Sequence, residues 1–430
     1  MTSVCVHGLG YVGLPTAAML AGHGFDVYGY DTDATRVAEL ENGEVRIEEP
    51  GLDRLVGRAV ESGRLRIVEE VPAAAYHVIC VPTPFDEDRR RPNLDHVAAA
   101  GRAAGSVLRA GDTVVLESTV PPGTTEGRVR PIVEAESGLT AGTEFGLAFC
   151  PETVLPGNVI AELRANDRIV GGVDEGSTAA AVELYDSFVD GEIRTAADPT
   201  AAEFVKLIQN TARDVEIAFA NEVARVAHDY GIDARTAIGM ANAHPRVDVL
   251  DPGPGVGGHC LPVDPWFLGV GSDSLELVPT ARAVNDGMVG FVIELLTELV
   301  GDLGGKRVAV FGIAYKGNVG DSRMSPGLRL VRELRRRDAP AAPATDGGTP
   351  GSPAVAVHDP HVVDPTLRLL PAEEAAQDAH GIVLTTDHDE FADLDPDRLR
   401  EVMAAPNVVD TKGILDPDRW REAGFDVRRV

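Results

Sequence analysis

The sequence predicts an α/β protein with two Rossmann-like, doubly wound parallel-sheet domains joined by a central helical segment. Short apolar runs alternate with helical spacings through the first 190 residues and again from residue 304 onward. Between them, strand signals nearly vanish and apolar residues recur at helical spacing. A chain of 430 residues is also too long for one ordinary core. We therefore predict domains at 1–190, 191–303 and 304–430.

Individual elements follow from the same patterns. In the first domain the strands are expected at 4–7, 26–30, 77–81, 113–117 and 146–150. Helical spacing in the middle covers 202–208, 217–230 and 291–303. The last domain is expected to have strands at 307–312, 355–358, 381–385 and 407–410. The stretch 338–353 is rich in Pro, Ala, Gly and Thr, which predicts a mobile surface loop.

The charge balance is strongly acidic. A formal net charge of -29 argues against a nucleic-acid partner, because phosphate binding needs clustered Lys and Arg. Carboxylates spread along the whole chain, together with only four lysines, suggest a salt-adapted (halophilic) surface; an ordinary acidic protein is the alternative. No signal peptide and no run of about 18 apolar residues is present, so we expect a cytoplasmic protein without a membrane partner.

The four cysteines are too few and too widely spaced for a disulfide framework. Cys5, Cys80 and Cys150 lie in apolar runs and are expected to be small core residues. Cys260 ends a glycine-rich turn at 255–260, where packing does not require a thiol. It is the candidate nucleophile, and a packing cysteine in a loop is the alternative. No metal site is predicted.

A dinucleotide-binding pattern opens the chain. Gly8, Gly10 and Gly13 follow a predicted strand and precede a predicted helix, where glycines allow a diphosphate to approach the helix N-terminus. Asp31 ends the second predicted strand, where a carboxylate can bind a ribose 2′-hydroxyl and repel a 2′-phosphate. The pattern therefore predicts NAD rather than NADP. The segments 81–84 and 117–125 place further hydroxyls at strand ends, although each alone is also compatible with a cap or a turn.

Seven segments occur in the order typical of one family: 8–13, 81–84, 117–125, 150–152, 206–210, 255–264 and 311–316. Through them the whole chain resembles the UDP-glucose/GDP-mannose dehydrogenase family. The resemblance implies an NAD-dependent oxidation of a sugar CH2OH group to a carboxylate, a change of four electrons. A cysteine makes this possible by trapping the aldehyde as a thiohemiacetal and then as a thioester.

The same resemblance narrows the substrate. Segments 150–157 and 244–260 are similar to those of family members that oxidise UDP-N-acetyl-D-mannosamine for polysaccharide biosynthesis. Thr153 departs from that pattern, in which an arginine follows the glutamate. UDP-N-acetylglucosamine and UDP-glucose therefore stay open as alternatives. Two other classes are a one-hydride hydroxyacid dehydrogenase and a non-catalytic nucleotide-sugar sensor.

Catalytic roles are implied residue by residue. Cys260 is the nucleophile, and Lys206 and Asn210, on one helical face, stabilise oxyanions. A surface lysine with its amine in solvent is the alternative for Lys206. Asp264 or Glu152 activates the hydrolytic water, and the sequence does not decide between them. Thr119 is expected to order that water or to contact the nicotinamide ribose.

Binding roles are implied in the same way, with a solvated surface charge as the alternative for each charged residue. The residues expected to bind the cofactor are Gly8, Gly10, Tyr11, Val12, Gly13, Asp31, Arg36, Thr83, Thr119 and Arg323. Those expected to bind the UDP-sugar are Thr153, Val154, Lys206, Asn210, Arg213, His244, Arg246, Gly257, Tyr315, Lys316 and Lys412. The family also implies a homodimer, or a larger oligomer built from dimers, with the central helices as the interface.

Overall fold

A computed structural model describes residues 2–47, 49–86, 89–336 and 354–430. The chain forms two compact units. The first contains Met1–Asn210 and Val263–Ser274, and the second contains Thr211–Pro262 and Leu275–Val430. The loop predicted at 338–353 lies outside the described residues.

The strands number fifteen in the described ranges. They are β1 (Ser3–His7), β2 (Asp26–Tyr30), β3 (Leu65–Val68), β4 (Tyr76–Ile79), β5 (Phe85–Asp86), β6 (Arg91–Pro92), β7 (Thr113–Leu116), β8 (Gly146–Phe149), β9 (Arg168–Gly172), β10 (Ile193–Thr195), β11 (Arg307–Phe311), β12 (Ala354–His358), β13 (Gly381–Leu384), β14 (Asn407–Asp410) and β15 (Asp426–Arg429).

The helices alternate with these strands, except in the middle of the chain. They are α1 (Gly13–Gly22), α2 (Ala34–Glu41), α3 (Leu52–Glu61), α4 (Asp95–Gly105), α5 (Arg130–Ser137), α6 (Val159–Ala165), α7 (Glu175–Asp186), α8 (Pro199–Asp229), α9 (Ala234–Ala241), α10 (Asp264–Leu268), α11 (Leu277–Val300), α12 (Pro326–Arg336), α13 (Ala372–Ala376), α14 (Asp389–Ala392), α15 (Pro396–Val402) and α16 (Pro417–Glu422). A π-helical turn, Thr125–Val129, leads directly into α5.

The first unit is built on an eight-stranded sheet with the order β10-β9-β8-β7-β4-β1-β2-β3. Its central strands are buried and apolar because helices cover both faces. Val4, Val6 and Val78 pack with residues of α1 on one face. Ile79 and Leu116 pack with residues of α4 and α5 on the other. Strand order reverses between β1 and β4, which is where ligands bind in open α/β sheets.

All five strands predicted for this unit are confirmed, as β1, β2, β4, β7 and β8. The sheet has one departure from the predicted parallel arrangement, because β9 pairs with β8 in the antiparallel direction. The sequence patterns also missed β3, β9 and β10. β3 and β10 are edge strands, whose partial exposure interrupts the apolar runs that mark a buried strand. β9 is mostly buried, but it begins with Arg168 and ends with two glycines, which leaves a short apolar run.

The second unit has a five-stranded parallel sheet with the order β12-β11-β13-β14-β15. Residues of α11 and α12 pack on one face of it. Residues around α13 to α16 pack on the other. Four of these strands match the prediction, and β15 was missed.

The helical middle of the chain is confirmed, with longer helices than the patterns indicated. The two predicted pieces at 202–208 and 217–230 belong to a single 31-residue helix, α8. Helix α11 ends at Val300, three residues before the predicted end, because Gly301, with a φ of 77°, follows it. None of the helices in the described ranges has the combination of length and apolar sequence needed to cross a membrane.

Candidate active site

Two of the three glycines in the loop between β1 and α1 pack closely against other protein atoms, and Gly10 does not. Gly8 has a φ of +92°, and a Cβ there would lie 2.6 Å from the Cys80 carbonyl oxygen. A Cβ on Gly13 would lie 1.9 Å from the Gly8 oxygen. A Cβ on Gly10, in contrast, would meet no atom within 4 Å. Close packing thus explains why Gly8 and Gly13 carry no side chain. Gly10 instead leaves the backbone open to the approach of a diphosphate.

Asp31 lies at the end of β2, beside this loop. Its carboxylate accepts hydrogen bonds from the backbone N–H groups of Leu9 and Asp33, at 2.8 and 2.9 Å. Arg36 donates to it at 3.0 Å. Three donors leave one of about four acceptor positions on the carboxylate for a ribose hydroxyl. The first unit therefore provides the donors, the open glycine and the acidic residue that bound NAD requires.

The loops after β4 and β7 are tied to each other. Thr83 Oγ1 donates to the carbonyl of Thr119 at 3.0 Å, and Ser118 Oγ donates to the carbonyl of Val81 at 2.7 Å. Below them, Glu117 and Arg168 form a buried ion pair at 2.9 Å. These contacts fix the strand end from which Thr119 projects.

Four predicted catalytic residues meet in a cluster within the first unit. Lys206 Nζ lies 3.6 Å from Glu152 Oε1, and Asn210 Nδ2 donates to Asp264 Oδ2 at 2.5 Å. The Lys206 side chain is only 5% exposed. This burial excludes the surface lysine considered above. Burying an amine costs free energy even when a carboxylate lies beside it. A functional role for Lys206 would explain why this cost is met.

The electrostatics of this cluster centre on Asp264. Burial raises the pKa of its carboxyl to about 6, against the opposing effects of the Lys206 ammonium and the Asn210 amide, with Glu152 adding to the rise. At neutral pH the group is therefore mostly ionised, yet it is a stronger base than an exposed aspartate. It is suited to accept a proton from water.

The turn before Cys260 belongs to the second unit, and its glycines pack against protein atoms. Gly258 has a φ of +84°, and a Cβ there would lie 3.0 Å from the Tyr315 ring. A Cβ on Gly257 would lie 2.8 Å from Tyr315 Cβ, and one on Gly255 would lie 2.8 Å from the Asn285 carbonyl oxygen. Cys260 itself is exposed. Close packing of the turn, rather than room for a ligand alone, thus explains these glycines.

A guanidinium lies near this thiol. The pKa of Arg323 is raised, chiefly by its hydrogen bonds to Asp321, with smaller contributions from Tyr315 and Cys260. Arg323 therefore interacts electrostatically with the Cys260 side chain.

Sequence reasoning missed a buried polar network that supports the same turn. Asp214 of α8 accepts hydrogen bonds from Arg282 at 2.6 Å and from Asn285 at 2.8 Å, both on α11. Asn285 in turn accepts from Asn221, whose own oxygen accepts from the Gly253 N–H at 2.8 Å. Polar residues in otherwise apolar helices were the only available signal.

Comparison with known proteins agrees with this geometry. Sequence profiles of the UDP-glucose/GDP-mannose dehydrogenase family match over three stretches: the NAD binding domain at 2–189, the central domain at 200–287 and the UDP binding domain at 309–417. The chain belongs to this family. It is an NAD-dependent nucleotide-sugar dehydrogenase, as the sequence predicted.

Individual members of the family are similar over their full length. The UDP-N-acetyl-D-mannosamine dehydrogenase of Methanococcus maripaludis is 40% identical, over 99% of this chain and 96% of that protein. An NDP-N-acetyl-D-galactosaminuronic acid dehydrogenase of Ralstonia solanacearum is also 40% identical, over 97% of each. The solved structure of UDP-D-ManNAc dehydrogenase from Pyrococcus horikoshii superimposes with a TM-score of 0.90 at 37% identity, covering 100% of this chain and 99% of that one.

The remaining residues expected to bind substrate or cofactor lie at several places in the dehydrogenase. Lys412 Nζ, expected to bind substrate, pairs with Asp387 at 3.4 Å, and Arg323, expected to bind the cofactor, pairs with Asp321 at 2.6 Å. Three others are exposed in the second unit: Arg213, His244 and Arg246. Lys316, Thr153 and Val154 are partly buried.

Glu49 is a further residue of the dehydrogenase that the sequence did not reveal. It accepts hydrogen bonds from the Tyr11 hydroxyl at 2.6 Å and from the backbone N–H groups of Gly157 and Val159, at 2.8 and 2.7 Å. It therefore joins the glycine loop of the cofactor site to the segment that follows Glu152. Nothing in the local sequence distinguishes it from the other acidic residues nearby.

Proposed function

We propose that this dehydrogenase oxidises the C6 alcohol of UDP-N-acetyl-D-mannosamine to a carboxylate in two successive two-electron steps. The observation that carries the proposal is the buried Lys206, Glu152, Asn210 and Asp264 cluster, which suits oxyanion stabilisation and water activation. A one-hydride dehydrogenase needs no hydrolytic carboxylate. The sensor hypothesis does not account for the burial of a lysine.

The residues act in a defined order. The alcohol loses a proton and a hydride to give the aldehyde, and the Cys260 thiolate adds to its carbonyl carbon. The Lys206 ammonium and the Asn210 amide supply the charge and the hydrogen bond that stabilise the resulting thiohemiacetal oxyanion. Loss of a second hydride turns it into a thioester. Bound NAD supplies the acceptor for each hydride.

Hydrolysis completes the reaction. Water attacks the thioester carbon, the C–S bond breaks, and Cys260 leaves as the thiolate. We assign the proton of this water to Asp264, because burial raises its pKa to about 6. Glu152, beside Lys206, then balances the ammonium and keeps its position. Thr119 orders the water.

The sugar is assigned from the family members. Proteins named UDP-N-acetyl-D-mannosamine dehydrogenase resemble this chain over nearly its whole length, and segments 150–157 and 244–260 match their pattern. A galactosaminuronic acid dehydrogenase at the same identity makes an N-acetylated galactose derivative the second candidate. Both sugars carry an acetamido group.

A panel of UDP-sugars with NAD tests the assignment. We expect turnover of UDP-N-acetyl-D-mannosamine with two NADH formed per sugar, and weaker activity with UDP-N-acetylgalactosamine, UDP-N-acetylglucosamine and UDP-glucose. Cys260→Ser and Cys260→Ala are expected to abolish formation of the acid. A yield of one NADH, or full activity of either variant, would refute the four-electron mechanism.

Association and surface charge complete the proposal. Helix α8 exposes Phe204, Ile208, Phe219 and Val226, and exposed aromatic and aliphatic side chains on one helix support a homodimer formed there. Light scattering of the purified protein tests it, and a monomer at micromolar concentration would contradict it.

The net charge of -29 supports optimal activity at high salt, which a salt titration of turnover measures.

A further inference from the structure

Glu203 is a fully buried carboxylate that the mechanism above does not use. It lies on α8, one helical turn before Lys206, with an exposed fraction of 0%. Its Oε1 accepts hydrogen bonds from the Thr125 N–H at 2.8 Å and the Thr125 hydroxyl at 2.6 Å. Its Oε2 accepts from the Gly123 N–H at 2.5 Å.

The groups that Glu203 binds belong to the loop that carries Thr119. This loop leaves β7 at Glu117 and ends where the π-helical turn Thr125–Val129 begins. Its first half is fixed by the hydrogen bonds of Ser118 and Thr83 described above. Its second half is fixed by Glu203. One carboxylate thus connects this loop to the helix that carries Lys206 and Asn210.

The Gly123 N–H and both Thr125 groups donate hydrogen bonds to the carboxylate oxygens. An amide in its place would direct its NH2 group, which cannot accept, toward at least one of these donors and lose that contact. Residue 203 therefore has to be a carboxylate for the loop to keep this position.

We propose that Glu203 is a positioning residue that holds the Thr119 loop against α8 through these hydrogen bonds. The inference rests on the proposed function for its catalytic consequence. It adds a residue whose effect on the reaction passes through Thr119 rather than through contact with the substrate.

Burial raises the pKa of the Glu203 carboxyl to about 7, against the hydrogen bonds from Thr125, Gly123 and Thr124, which lower it. The charged groups closest along the two elements are Lys206, which pairs with Glu152, and Glu126, which accepts a hydrogen bond from Thr200 at 3.4 Å. Because the raised pKa means that the packed state favours the protonated carboxyl, a falling pH does not release the loop.

The decisive variant is Glu203→Gln, studied by amide hydrogen exchange and by steady-state kinetics. We expect faster exchange in the peptide covering 119–125 and a 10- to 100-fold loss of kcat, about the cost of a small misplacement of a catalytic group. KM for the UDP-sugar should change by less than about threefold, because uniform substrate binding is untouched.

Glu126→Gln is the matched control. It removes a carboxylate from the same turn, but that carboxylate accepts no hydrogen bond from the Gly123 or Thr125 N–H group, both of which donate to Glu203. It should keep the exchange and kcat of the unmodified protein. Thr125→Val removes one donor, keeps the carboxylate, and should show the same changes at about three- to tenfold. If Glu203→Gln does not fold, Thr125→Val tests the contact between Glu203 and the loop in its place.

Several results would overturn the proposal. Exchange of 119–125 that is unchanged in Glu203→Gln, or in Thr125→Val, is one; kcat within twofold of the unmodified enzyme is another. Faster exchange in every peptide would show general destabilisation instead. Amide exchange needs no substrate, so it tests the contact between Glu203 and the loop even if no UDP-sugar is turned over. A lack of turnover would refute the proposed function but not this contact.

Discussion

The first loop of each sheet begins in the same way and then diverges. Gly8 after β1 donates its N–H to the Tyr30 carbonyl at 2.8 Å, and Gly312 after β11 donates to the His358 carbonyl at 2.8 Å. Both glycines have positive φ, at 92° and 87°. Helix α1 then begins at Gly13, whereas α12 begins only at Pro326. The longer loop of the second unit carries Tyr315, Lys316 and Arg323.

The aspartate after the second strand shows what this difference means. Asp31 accepts three hydrogen bonds, one of them from Arg36, and so has capacity to spare. Asp359 follows β12 and accepts from four backbone N–H groups and from His388 Nε2, with a side chain that is 0% exposed. The same position in the fold therefore offers a ligand contact in one sheet and an internal support in the other.

Asp359→Asn should produce the largest effect if this difference is real. The amide would oppose several buried donors, including His388, whose Nδ1 already accepts from the Asn318 N–H at 2.9 Å. We expect the free energy of unfolding to fall by about 3 kcal/mol, as when hydrogen bonds to a buried charged group are lost. Urea denaturation measures it. A loss no greater than that of Asp31→Asn would remove the distinction between the two positions.

Asp31→Asn should affect binding rather than stability. We expect the dissociation constant for NAD to rise 10- to 100-fold, the value of about 1.5 to 3 kcal/mol for a hydrogen bond to a charged group. Isothermal titration with NAD measures this, and Asp359→Asn at a temperature where it is folded serves as the control. Equal weakening by the two variants would contradict the comparison.

Gly10→Ala tests the open position of the first loop. A Cβ on Gly10 would meet no protein atom within 4 Å, so the free energy of unfolding should not change. NAD should bind about tenfold more weakly, because the added methyl group keeps the diphosphate away from the backbone. Gly57→Ala, in α3, also adds a Cβ in open space and should leave NAD binding unchanged. Tight NAD binding by Gly10→Ala would show that the diphosphate does not approach at this residue.

The smallest effect concerns two buried aspartates with opposite pKa shifts. Burial raises the pKa of Asp264 to about 6. For Asp359 burial acts in the same direction, but the hydrogen bonds from His388 and the backbone outweigh it and hold the pKa well below its usual range. The neutral form is therefore favoured at one site and the ionised form at the other.

These shifts give opposite pH dependences. Folding favours protonated Asp264, so the unmodified protein should lose stability relative to Asp264→Asn as pH rises from about 4 to 7. Folding favours ionised Asp359, so the unmodified protein should lose stability relative to Asp359→Asn as pH falls below about 4. Urea denaturation at several pH values measures both trends, and trends of the same sign would contradict the assignment.

Sequence patterns predicted the features that are local in the chain. The glycine loop, Asp31 and the Lys206 and Asn210 pair follow from short spacings, and the cluster with Glu152 and Asp264 followed from the family resemblance. Glu49, Glu203 and Asp359 were missed because each binds backbone N–H groups of distant segments, which leaves no trace in side-chain patterns. The antiparallel direction of β9 was missed because periodicity does not encode strand direction.

The burial of Lys206 has a practical consequence for measurement. The chain contains three other lysines, Lys306, Lys316 and Lys412, and each of these is partly accessible to solvent. A reagent that acylates amines in the native protein therefore reaches three of the four lysines directly and Lys206 only when its surroundings open. Mass spectrometry of that one amine would report the opening of the catalytic cluster with almost no background.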